Sequence, residues 1–141
     1  MFRLDKRKIF LLYQYHLLGI IQKTKEESEK EKEKNAWLNK CLEKENFLSK
    51  KITTKLKVGW EFSYLPPLEK AILTYASYEL LFGKNNDLAK MIISQTVNFS
   101  KVYLEESKYK YINKVLDLVN KGEKTIADNQ IHNNPKDYKE K

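Results

Sequence analysis

The chain has 141 residues, 41% of them apolar, with a net charge of +8 and a pI near 9.4. That is one domain's length with enough apolar residues for a real core, which excludes wholesale disorder. Four Gly and three Pro are too few for many short strands joined by tight turns, and the excess of 27 basic over 19 acidic residues favours an anionic partner.

Basic residues open the chain, with Arg3, Lys6, Arg7 and Lys8 around Asp5. Asp5 can cap a first helix running to about Leu18 or Gly19. Ile9, Leu12, Tyr13, Leu17 and Ile20 give it an apolar stripe at i, i+3, i+4 spacing. Gln14 and His16 break the apolar run, and it is too short to span a bilayer, so a signal peptide or membrane anchor is not expected. Residues 22–34 are almost wholly Lys, Glu, Ser and Thr and predict a solvated loop or frayed helix.

A second helix is predicted over 35–58, with Trp37, Leu38, Cys41, Leu42, Leu48, Ile52 and Leu56 on its apolar side. Glu45 and Ser49 interrupt that side and suggest a bend, and Gly59 can end the helix. Pro66 and Pro67 open a third helix. Residues 68–82 are apolar nearly all round, as expected of a buried central helix, and Gly83 closes it. Asn85, Asn86 and Asp87 predict a turn and an N-cap.

A fourth helix carries Leu88, Met91, Ile92, Thr96, Phe99 and Tyr103 on one face. Ser107 is expected to cap a fifth, with Ile112, Val115, Leu116 and Val119 facing inward and Gly122 as its stop. Residues 122–141 are polar and read as a C-terminal tail. The fold class is therefore all-α, five or six helices sharing one core.

Catalytic chemistry is not expected. Glycines at 19, 59, 83 and 122 cannot build a phosphate loop. Cys41 sits among helical apolar positions and reads as core, while His16 and His132 lie far apart with no second Cys to complete a zinc site. No cofactor or metal is implied, and a single Cys fits a reducing cytoplasm. What remains is basic charge beside aromatics: the N-terminal segment with Tyr13 and Tyr15, and Lys101, Tyr103, Lys108, Tyr109, Lys110 and Tyr111. Lys and Arg can neutralise phosphates while tyrosine rings stack on unpaired bases, a combination suited to single-stranded RNA.

The order of several segments then matters. Trp60 and Leu65 are followed by Leu68-Glu69-Lys70-Ala71-Ile72-Leu73 and Ala76-Ser77-Tyr78-Glu79-Leu80. This resembles the central stretch of the NusB family, a Trp followed by V-[ED]-[RK]-A-I-L and A-x-Y-E-[LM] on one helix. Residues 93–103 (ISQTVNFSKVY) are similar to that family's I-N-E-A-I-E-L-A-K-x-[FY] helix, and residues 111–117 (YINKVLD) to its F-V-N-G-V-L-D. Leu12-Tyr13-Gln14 is similar to the A-L-[YF]-Q core of its first helix.

The resemblance covers most of residues 3–121, so that residues 1–121 are read as one NusB-like domain, and it implies two small helical bundles packed together. It also implies a non-catalytic transcription antitermination factor that pairs with NusE, binds boxA-type single-stranded RNA, and acts on elongating RNA polymerase, chiefly at ribosomal RNA operons. Carried over residue by residue, the implied RNA surface is Arg3, Lys6, Arg7, Tyr13, Glu79, Ser107 and Tyr111. Ser107 stands where the family pattern is commonly acidic, a change that reduces repulsion of phosphate. The same resemblance extends to accessory domains of ribosomal RNA methyltransferases and leaves open a protein-interaction adaptor as the alternative.

Overall fold

The computed structural model describes residues 2–19, 29–105 and 107–132, with backbone alone at 30, 31, 34 and 123–132. These residues form six α-helices and one 3-10 turn, with no strand among them: α1 (Lys6–Leu18), α2 (Glu29–Glu43), α3 (Glu45–Thr53), α4 (Pro67–Phe82), α5 (Ala89–Tyr103) and α6 (Lys108–His132), the 3-10 turn being Phe62–Tyr64.

Helix α4 is the shared element. Pro66 and Pro67 start it, and the run from Ala71 to Ser77 is buried on every side. Helices α1 and α3 pack on it from the N-terminal half of the chain, α5 and α6 from the C-terminal half, where α5 and α6 also pack on each other. The two groups of helices meet on α4 in one continuous core that includes Ile9, Leu12, Leu38, Leu48, Ile72, Ile92, Ile112 and Leu116. Gly83 closes α4. Its N–H donates to the Glu79 carbonyl at 3.3 Å, and a Cβ there would stand 2.7 Å from that same oxygen, so a larger residue would push the turn away.

Asp5 caps α1 as expected, its carboxylate accepting from the Arg7 N–H at 3.0 Å. Chain pairing also fixes the segment ahead of α1. The Gln95 side chain accepts from the Leu4 N–H at 2.7 Å and donates to the Phe2 carbonyl at 3.0 Å, and the Tyr75 hydroxyl accepts from the Asp5 N–H at 2.9 Å. The N-terminal basic run is therefore tied to α4 and α5.

Several expectations are corrected. The helix expected over 35–58 is two helices broken at Lys44, where the apolar stripe falters, and it ends at Thr53 rather than at Gly59. Of the two alternatives for the charged tract, residues 29–34 take the helical one, while residues 20–28 lie outside the described residues. Helix α5 starts after Leu88, with no side-chain cap from Asp87. Ser107 has φ 76°, left-handed rather than the extended backbone of an N-cap. Gly122 does not stop α6, which continues to His132, because a lone glycine weakens a helix without breaking its hydrogen bonds. Leu17 is 55% exposed, and His16 takes the inward position one turn beyond Leu12.

His16 Nε2 is buried without a hydrogen-bond partner, and its ring meets Phe62 edge-on at 5.8 Å. Burial, and secondarily the charge of Lys70, lower its pKa to about 4. The unfolded chain protonates this imidazole near 6.5, the folded chain only near 4. Stability contributed by the neutral ring is thus fully present above pH 6.5 and is lost as pH falls towards 4. Chemical denaturation across that window is expected to show a steeper loss for the parent chain than for His16→Phe; parallel profiles would contradict this assignment.

Candidate nucleic-acid interface

The expected interface residues fall into two places. Arg3, Lys6 and Arg7 are exposed and, with Leu4 and Asp5, line a hollow of 380 Å³ at the start of α1. Three cations on a short segment held at both ends can meet successive phosphates with little side-chain reorganisation. Lys6 Nζ stands 6.0 Å from the centre of the Tyr103 ring, and Phe10, Phe99 and Tyr103 form an aromatic cluster beneath it.

The second place is the beginning of α6. Tyr111 and Lys108, one helical turn apart, converge on Glu69 of α4. The Tyr111 hydroxyl donates to Glu69 Oε1 in a short hydrogen bond, and Lys108 Nζ donates to Oε2 at 2.6 Å. The Glu69 side chain is 6% exposed and that of Lys108 36%, so the carboxylate is buried while its cation reaches water. Burial first, and then the bond to Glu69, push the Tyr111 hydroxyl far above its usual range, which keeps it a neutral donor. The bond to Glu69 raises the Lys108 ammonium and keeps it charged. Above this pair opens a cavity of 480 Å³ walled mainly by Leu56, Trp60, Tyr64, Leu65 and Pro66. Trp60 and Tyr64 are more than half exposed, aromatic surface of the kind on which an unpaired base can stack.

Tyr13 is half-buried and packs against the core. Glu79 is 9% exposed, which leaves little of it to touch a ligand. Burial raises its pKa against the opposing pull of Lys8. The Trp37 indole pulls the same way as Lys8, although its Nε1 makes no hydrogen bond of regular geometry. Lys8 Nζ in turn lies 5.0 Å above the Trp37 ring. Glu79 thus helps set the environment of the basic segment from below. It is ten residues from Glu69, about 15 Å along α4, so the structure does not bring Glu79 and Tyr111 together. Ser107 is exposed immediately before α6, close to the Tyr111 site in sequence.

Glu69, Lys108 and Tyr64 were not among the carried-over positions. The sequence signal for Glu69 was weak: an acidic residue in a helix's first turn suits the helix dipole, and only its burial in the folded chain calls for direct partners. Cys41 is buried and its thiol is pushed up to about 12, chiefly by burial, so it is packing rather than a nucleophile. No group of three metal-ligating side chains occurs among the described residues, and no described helix is long and apolar enough to cross a membrane.

The sequence model of the NusB family matches residues 6–121, which takes in the α6 place and Lys6 and Arg7 of the first, while Arg3, Leu4 and Asp5 precede the match. The chain belongs to the NusB family. Proteins named transcription antitermination protein NusB share 33% identity with it over 81 residues in Macrococcus caseolyticus, 33% over 83 residues in Methylacidiphilum infernorum and 35% over 83 residues in Helicobacter pylori. These matches cover 57–59% of this chain and 57–60% of those relatives, so the chain spans somewhat under two thirds of the NusB proteins it matches. No solved structure matches it with significance. The stretch from Trp60 through Leu80, which resembles the family's central motif, supplies one wall and the buried carboxylate of the α6 site.

Removing that carboxylate tests its structural weight. Glu69→Ala leaves the Tyr111 hydroxyl and Lys108 without their acceptor and is expected to cost about 2 kcal/mol in urea denaturation, discounted for the partial exposure of Lys108. Glu69→Gln, which keeps an acceptor for Tyr111, should cost less. Equal losses would show that the hydrogen-bond geometry at Glu69 carries no weight.

Proposed function

We propose that this chain is a non-catalytic, cytoplasmic transcription antitermination factor that binds boxA-type single-stranded RNA together with NusE and acts on elongating RNA polymerase, chiefly at ribosomal RNA operons. The observation that carries the RNA reading is the exposed cluster of Arg3, Lys6 and Arg7, tied to α4 and α5 by backbone hydrogen bonds and standing beside an aromatic cluster. Family membership supports antitermination as the setting. Tyr111, with Trp60 and Tyr64 around it, provides a second aromatic station at the start of α6.

Roles divide by chemistry. Arg3, Lys6 and Arg7 neutralise phosphates and fix the register of the strand. Tyr111 contributes ring surface, since its hydroxyl is engaged by Glu69. Ser107 borders the strand without repelling it. Tyr13 and Glu79 support the interface from beneath through packing and through the field at Lys8.

Affinity for a boxA-like RNA, measured against a scrambled sequence with and without NusE over a salt series, is expected to be sequence-selective, stronger with NusE and steeply salt-dependent. Changing Lys6, Arg7 and Lys8 together to Ala should weaken binding and flatten the log–log salt slope by about one unit per lost phosphate contact. Equal affinity for both RNAs would leave a nonspecific RNA binder. No affinity even with NusE would favour an adaptor that contacts only protein.

A further inference from the structure

Two hollows at the N-terminal edge share a wall. The first, lined by Arg3, Asp5, Lys6 and Arg7, is the phosphate-facing hollow described above. The second, of 300 Å³, is lined by Gln95, Asn98, Phe99, Val102 and Tyr103, and Leu4 and Lys6 belong to both. Its floor is aromatic: Tyr103 stacks on Phe99 at 4.4 Å with planes 27° apart, and Phe10 braces it edge-on at 5.7 Å. Tyr103 is nevertheless 42% exposed, and Val102 beside it 74%. The volume is at the small end for a ligand site and suits one planar group.

The polar groups are sorted in a way that fits a base. Both ends of the Gln95 amide are engaged by the backbone of Phe2 and Leu4, so Gln95 holds the rim. Asn98 is exposed, one turn before Val102 on the same face of α5. Its side-chain amide both donates and accepts, and it carries no charge to repel a phosphate.

We propose that this second hollow is a nucleobase subsite selective for adenine, in which the base stacks on Tyr103, the Asn98 amide reads its edge, and the attached phosphate falls to Lys6 and its neighbours in the first hollow. An amide pairs with adenine through N6 and N7 in a bidentate manner, and a purine gains most from the ring. Lys6 Nζ lies over the Tyr103 ring at 6.0 Å, so a base that stacks there displaces the ammonium towards the first hollow, where it meets the phosphate. The proposal rests on the RNA-binding reading and adds a position at which sequence is read.

The test uses the full chain with labelled short oligo(rA), oligo(rU) and oligo(rC) at low salt, with the melting temperature of each variant recorded as a folding control. The parent chain is expected to prefer oligo(rA). Tyr103→Ala should weaken oligo(rA) binding about tenfold. Asn98→Asp, at an exposed site that does not endanger folding, should shift preference from oligo(rA) towards oligo(rC), because a carboxylate accepts from the cytosine amino group. The ratio between the two oligonucleotides is the readout, so general repulsion by the new charge cancels. Absence of an oligo(rA) preference, or a ratio that neither variant moves, overturns the subsite. If Lys6→Ala with Arg7→Ala still weakens binding to all three, the RNA interface survives that failure. If no RNA binds at all, a boxA-like RNA with NusE included, the functional reading falls and the subsite with it.

Discussion

Burial of the middle of α4 on all sides, from Ala71 to Ser77, is the constraint from which the rest of the molecule follows. A helix with apolar residues around its whole circumference gains little from facing water anywhere, so it draws packing partners from both halves of the chain. Helices α1 and α3 cover it from one half and α5 and α6 from the other. The two candidate RNA stations are fixed relative to each other because both hang from this helix: the N-terminal segment through Tyr75, and the start of α6 through Glu69.

The same helix buries two carboxylates and handles them differently. Glu69 receives a hydroxyl and an ammonium directly, so its negative charge is compensated by hydrogen bonds as well as by attraction. Glu79 has Lys8 only as a neighbouring charge, and burial pushes it towards the protonated state. One carboxylate anchors a helix start. The other sits beneath the basic segment, where its charge state tempers the field that a phosphate would meet. Sequence patterns that place both acids on one helix hide this difference, because it depends on what the folded chain brings opposite each of them.

Local features proved the most legible. The Asp5 cap, the Pro start of α4, the all-round burial of its middle and the inward stripe of α6 follow from short-range rules that the tertiary structure does not override. Boundaries that depended on competing signals were not readable. Gly122 carries a stop signal, yet α6 runs through it, and the polar tract beginning at Glu29 is helical despite having no apolar face to advertise it. At the candidate interface, the exposure of Arg3, Lys6 and Arg7 was legible from charge alone. The engagement of Tyr111 by Glu69, 42 residues away in sequence, was not, nor was the hollow that joins Lys6 to Tyr103. Contacts between α1, α5 and the N-terminal segment are tertiary, and no periodicity encodes them.

The central claim is that one RNA strand lies along the edge formed by the start of α1, the end of α5 and the start of α6. Backbone amide chemical shifts of the labelled chain, followed during titration with a boxA-like RNA in the presence of NusE and compared with NusE alone, test it most directly. The account predicts RNA-dependent changes at Arg3, Lys6, Arg7, Tyr103, Ser107 and Tyr111, with α3 silent. Changes concentrated on α2 and α3, with the N-terminal segment and the α6 start unmoved, would contradict it.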